Sequence, residues 1–228
     1  MKLSNFINKH PSYDMLFNHA MGNTSEAESL ILSCHIAYCP ICKKEIEKYE
    51  KIGGYFLSNH DRHSVSKGLW KNILDKVEGL DQEQKQNNFF SHNIKSYLTE
   101  EPIKIPSFLT EYLEKMHNTE SWKSTINNVR YKDIKFKGSN FKGKLLEIPA
   151  GKMMPKHGHE SYEATLVLHG GYKDEKGEYN LGDLVLASSD EVHSPIADAE
   201  TGCLCLVVYS GEIQFKGLLG PILNLSKF

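Results

Sequence analysis

The sequence predicts a multidomain protein of α and β parts, a small helical bundle followed by an all-β barrel or jelly roll. Apolar residues recur every three or four positions through the first part, and from Val129 onward they alternate in short runs. Each part also carries its own spaced set of imidazole, thiolate or carboxylate groups. A chain of 228 residues leans toward two domains at roughly 100 to 150 residues apiece. The expected division is 1–95 for the helical domain, 96–125 for a linker and helix, and 126–228 for the β domain. A formal charge of −2 leaves no electrostatic footprint for nucleic acid, so any effect on DNA is expected to be indirect. No stretch resembles a secretion signal or reaches the length of a membrane span, which predicts a cytoplasmic protein with no membrane partner. Five cysteines, two in C-x-x-C and two in C-x-C spacing, point to metal or redox chemistry rather than a disulfide framework.

Ser12 is placed to cap a first helix, Tyr13 to Met21, which Gly22-Asn23 ends. Ser25 and Glu28 form a capping box for a second, bearing Ala27, Leu30, Ile31 and Cys34. That helix delivers HIAYCPIC, an H-x-x-x-C-x-x-C pattern. His35 and Cys39 lie one helical turn apart, and Cys42 returns to the same point, with Pro40 suited to the first turn of the next helix. Two thiolates and an imidazole are three of the four donors of a tetrahedral zinc site. His10, just ahead of the first helix, closes the site if that helix folds back; His19 is the rival. A dithiol redox pair is the competing reading, but a thioredoxin-like motif follows a strand, and here both flanks read as helix.

The third helix, Cys42 to Leu57, aligns Ile46, Tyr49, Ile52 and Phe56. His60 and His63 follow in a loop, read as exposed or as auxiliary ligands. A fourth helix, Gly68 to Val77, places Leu69, Trp70, Ile73, Leu74 and Val77 on one apolar face that must be buried in its own bundle or against a partner. Glu78 to Lys95 reads as a linker or solvated helix, and a helix from Ser107 to Met116, with Trp122, is expected to pack under the barrel. Short apolar runs at 144–148, 165–168, 184–187 and 203–209 are the expected strands, with Cys203 and Cys205 filling the barrel as small hydrophobes.

Between Gly151 and Gly170 the chain reads G, five residues, H-x-H, three residues, E, six residues, G. In a strand His157 and His159 face one way, and Glu163 can face that way too; His193 is the candidate fourth donor. The pattern resembles the first signature of the cupin superfamily at every fixed position, and Gly182-Asp183 with His193 and Pro195 resembles the second. A cupin implies a double-stranded β-helix, the jelly-roll barrel. Joined to the N-terminal H-x-x-x-C-x-x-C, it resembles the ChrR family of zinc-dependent anti-sigma factors over nearly the whole chain. Also similar are the S-E-A-x-S-L run at Ser25 to Leu30, the segment from Ile105-Pro106 to Leu113, the D-E-x-G-x-Y-x-x-G-D run from Asp174 to Asp183, and the tail FKGLLGPILNLSKF.

The resemblance implies zinc on His10, His35, Cys39 and Cys42, and a cupin metal on His157, His159, Glu163 and His193. It implies sequestration of an extracytoplasmic-function (ECF) sigma factor, released under oxidative stress, with the Leu69–Val77 face as the candidate partner surface. The N-terminal zinc is expected to be structural, so that chelation unfolds the bundle and frees the partner. At the cupin site zinc, manganese, iron and nickel all suit nitrogen and oxygen donors, and the resemblance favours zinc. Changing His157 or Glu163 to alanine is expected to spare repression and abolish induction. A dioxygenase-like cupin metalloenzyme with an accessory zinc domain is the alternative, lowered by an N-terminal motif that an oxygenase does not need.

Overall fold

A computed structural model describes residues 7–78, 92–94, 96–115, 121–189 and 191–216. Most of the expected Glu78–Lys95 linker and of the C-terminal tail, together with Met116, lies outside them. The chain begins with α1 (Tyr13–Ala20), whose N-terminal amides are capped by the Ser12 hydroxyl through Met15 N. α2 (Glu26–Tyr38) opens on the full capping box of Ser25 and Glu28. α3 (Pro40–Ser58) follows after a single extended residue, Cys39, and Pro40 occupies its first position. α4 (Leu69–Glu78) is separate from these three. Among the described residues no helix is long and apolar enough to cross a membrane.

A hairpin of β1 (His92–Ile94) and β2 (Ile103–Ile105) leads to α5 (Ser107–Lys115). Then come β3 (Lys123–Ser124), β4 (Arg130–Lys135), β5 (Phe141–Ile148), β6 (His157–His159), β7 (Glu163–Asp174), β8 (Gly177–Asn180), β9 (Leu184–Ala187), β10 (Val192–His193), β11 (Ile196–Ala197), β12 (Cys203–Ser210) and β13 (Ile213–Phe215). The large sheet runs β11-β7-β12-β5-β4-β3, with β8 and β9 also paired to β7, and a small sheet runs β10-β6-β13. Two antiparallel sheets with their strands so distributed form a cupin-like jelly roll.

Strand β12 reads CLCLVVYS because both of its faces are buried. Cys203, Cys205, Val207 and Tyr209 point into the barrel with Ile148, Val167 and Tyr172. Leu204, Leu206 and Val208 point outward into a second cluster with Leu145, Leu166 and Leu184, covered by Ala27, Leu30, Ile31, Leu32 and Cys34 of α2 and by Leu109 and Leu113 of α5. At about 1.5–3 kcal/mol for each large apolar side chain, this seam makes α2 part of the barrel's outer wall. The remaining helical cluster is small, built from Leu16, Cys39, Cys42 and Ile46. Only the first half of α3 therefore packs as its apolar spacing predicts; Ile52 and Phe56 are exposed.

Candidate functional site

Cys39 ends α2 and starts α3 with φ −103° and ψ 103°, and that one extended residue turns the chain so that both cysteines face His35. Its Sγ accepts from the Cys42 amide at 3.4 Å, so it also caps α3. His35 Nε2 lies 3.3 Å from Cys42 Sγ, and His10 Nδ1 lies 3.4 Å from both sulfurs. Zinc bonds of about 2.3 Å to sulfur and about 2.0 Å to nitrogen put such donors about 3.5 Å apart in a tetrahedron, so the four residues fit that ion. His10 takes the fourth corner. His19 does not; its ring rests beside Ser33 and Thr24. His60 and His63 lie exposed near one another, away from the cluster.

The His35 Nδ1 donates to the Gly182 carbonyl at 2.8 Å, which fixes the tautomer and leaves Nε2 free to bind. Burial lowers the His35 pKa to about 4 and raises that of Cys42 to about 12. The imidazole is therefore a ready ligand at neutral pH, whereas the thiol gives up its proton to a metal.

On the barrel, β6 is the strand HGH and its two histidines share a face. β10 pairs with it so that His193 stands opposite His157. His193 Nε2 is 3.1 Å from His157 Nε2 and 3.2 Å from His159 Nε2, spacings suited to cis nitrogens on one ion. Each outer nitrogen has its own neighbour: the Pro155 carbonyl for His157, the Glu163 carboxyl at 3.3 Å for His159 and the Asp174 carboxyl at 3.6 Å for His193. The three histidines form one ligand cluster, and Glu163 stands behind it on His159 rather than within it.

Burial lowers His157 to about 3 and His159 to about 4, so both are neutral donors, and raises Glu163 to about 7. Beside them is a pocket of about 50 Å³ lined by His157, Glu163, His193, Tyr172, Cys205 and Phe215 among others. Asp174, Pro155 and the Gly182 carbonyl were not foreseen as site residues. The run DEKGEYNLGD at 174–183 was the available signal, since it ends on both Gly182 and Asp183.

Of the expected partner surface, Trp70 is 70% exposed and Leu69, Ile73, Leu74 and Val77 between 38% and 42%. None of the five is buried by the described part of the chain. Tyr55, Phe56 and Leu57 at the end of α3 add further exposed apolar area.

Fold and clusters together define a protein in which a helical His₂Cys₂ unit is seated on a cupin barrel with its own histidine cluster. Residues 116–213 match the family model described as the ChrR cupin-like domain. The chain is 26% identical to the anti-sigma-E factor ChrR of Cereibacter sphaeroides over 218 residues, 96% of this chain and 97% of that protein. It also superposes with TM-score 0.67 on a chain of the crystal structure of Rhodobacter sphaeroides SigE in complex with the anti-sigma ChrR, at 26% identity, covering 89% of this chain and 99% of that one. Over nearly its whole length the chain is thus similar to ChrR.

Proposed function

We propose that the protein is an anti-sigma factor that sequesters an ECF-type sigma factor through its helical unit, and that the cupin senses oxidative or related stress and triggers release. The observation that carries this reading is the apolar face of α4, left exposed among the described residues, on a chain similar over nearly its whole length to an anti-sigma factor. A free-standing helix with that face exposed needs a partner to bury it. Zinc on His10, His35, Cys39 and Cys42 holds α1 and α3 in place, and with four protein ligands no position is open for chemistry. In the barrel His157, His159 and His193 hold the metal, zinc by family likeness, with Glu163 joining as ligand or orienting His159.

The test is to co-express the chain with candidate ECF sigma factors of its host. The wild type should copurify with one and release it on stress. His157→Ala should copurify equally and fail to release. A variant that still responds normally would remove the sensor role, and no copurifying sigma factor would remove the regulator reading.

A second reading, a cupin metalloenzyme, is favoured by one observation. Neutral imidazoles adjoin an apolar pocket, where a metal with exchangeable positions would polarise a small substrate. Turnover by the metal-loaded protein that persists when Trp70 and Leu74 are replaced would favour it.

A further inference from the structure

Both histidines of the N-terminal cluster are tied to the same turn of the cupin. Gly182 offers its carbonyl to His35 Nδ1 at 2.8 Å. Asp183, wholly buried, uses Oδ1 to accept the amides of Asn8 at 2.7 Å and Lys9 at 2.9 Å. Its Oδ2 accepts the Asn180 amide, which locks the turn. Leu184 N then donates to the Lys9 carbonyl at 3.1 Å, so the chain immediately before His10 is pinned from both sides. The cysteines, in contrast, are set by the junction of α2 with α3. Gly182 has φ +87°, and a Cβ there would come within 2.7 Å of Ile7 and 3.1 Å of Tyr38, so the turn and the helical unit are in close contact.

We propose that the Gly182–Asp183 turn of the cupin is the outer shell of the N-terminal metal site, positioning His10 and His35 and raising that site's affinity for its ion. This rests on the reading of the four-residue cluster as a metal site. Partners that orient ligating histidines are worth roughly ten- to a hundredfold in metal affinity. The same turn opens β9, whose far residue Ala187 stands opposite Glu163. One short strand therefore reaches from the helical unit's ligands to the carboxyl behind the barrel's histidines.

The experiment uses the full-length chain, stripped of metal and titrated with Co²⁺ and then Zn²⁺ while following thiolate-to-cobalt charge-transfer absorption. Only the cysteine-containing site gives that band, so the barrel histidines do not contribute. Asp183→Asn and Lys9→Pro each remove part of the same hydrogen-bond set, one from the barrel side and one from the helical side. Each is expected to weaken metal binding roughly ten- to a hundredfold. The double variant should fall short of the product of the two effects, as changes to shared partners do. Asp198→Asn, in a turn whose carboxyl accepts from Glu200 and Thr201 within the same loop, should leave the titration unchanged. Should Asp183→Asn fail to fold, Lys9→Pro gives the answer alone, since it leaves the barrel intact. Wild-type affinity in Lys9→Pro, or independent effects in the double variant, would overturn the inference. Absence of the charge-transfer band in the wild type would instead overturn the metal site itself.

Discussion

Cys39 closes α2, caps α3 with its sulfur and faces His10, so one side chain combines a backbone duty with the ligand duty proposed for it. Serine separates the two, because its hydroxyl is a good N-cap and a poor zinc donor at neutral pH. Cys39→Ser is expected to keep the helix content of the metal-free wild type and to lose zinc affinity by at least a hundredfold, measured by circular dichroism and chelator competition. A fall in helix content before any metal is added would mean that the thiol matters for capping instead. The ligand spacing was legible in the sequence because His35 lies one helical turn before Cys39 and Cys39 only three residues before Cys42, separations that need no distant part of the chain. The partners of His35 and Lys9 were not, since Gly182 and Asp183 lie 147 and 174 residues away and only the folded seam brings them there.

Helix α4 was equally plain as an element, yet amphipathicity does not distinguish a face buried in the same chain from one buried in another. In the described part of the chain all five apolar residues of that face stay exposed, as the proposed partner surface requires. Trp70→Ala and Leu74→Ala are expected to weaken binding of the sigma partner by about 1–3 kcal/mol each, roughly five- to 150-fold, while leaving the melting temperature of the free protein unchanged. Calorimetric titration with a parallel thermal melt checks both halves.

The neighbouring helices are expected to respond to metal removal unequally, which modifies the expectation that chelation unfolds the whole bundle. α2 shares the core of Leu145, Leu166 and Leu204 and keeps that burial without an ion. α1 and α3 depend on a cluster in which two of the four buried residues, Cys39 and Cys42, are themselves proposed ligands. Hydrogen exchange of the chelated protein should accelerate in 13–20 and 40–58 and stay slow in 26–38.

Across the whole molecule one double-faced sheet separates the two clusters, with α2 and His35 outside it and the barrel histidines on the strands β6 and β10 facing its inner side. Both places are dry, and this gives the metal-free protein a definite acid response. His35, His157 and His159 have folded-state pKa values near 4, 3 and 4, below the ordinary 6.5, because burial disfavours their charged forms. Above 6.5 they are neutral in both folded and unfolded chains and contribute nothing to pH dependence. As pH falls from 6.5 toward 4 the unfolded chain takes up protons that the folded chain refuses, and stability is lost. Glu163 acts in the opposite sense: its pKa is raised from 4.5 to about 7, so the folded chain binds a proton first and gains stability as pH falls from 7 to 4.5. Three groups against one leaves a net loss. The melting temperature of the chelated protein should therefore fall between pH 6.5 and 4, and Glu163→Gln, which fixes the neutral form, should steepen that fall by removing the only opposing group among these four. A flat melting temperature over that interval would mean that the histidines are hydrated in the metal-free state and that the clusters are not held dry by the fold.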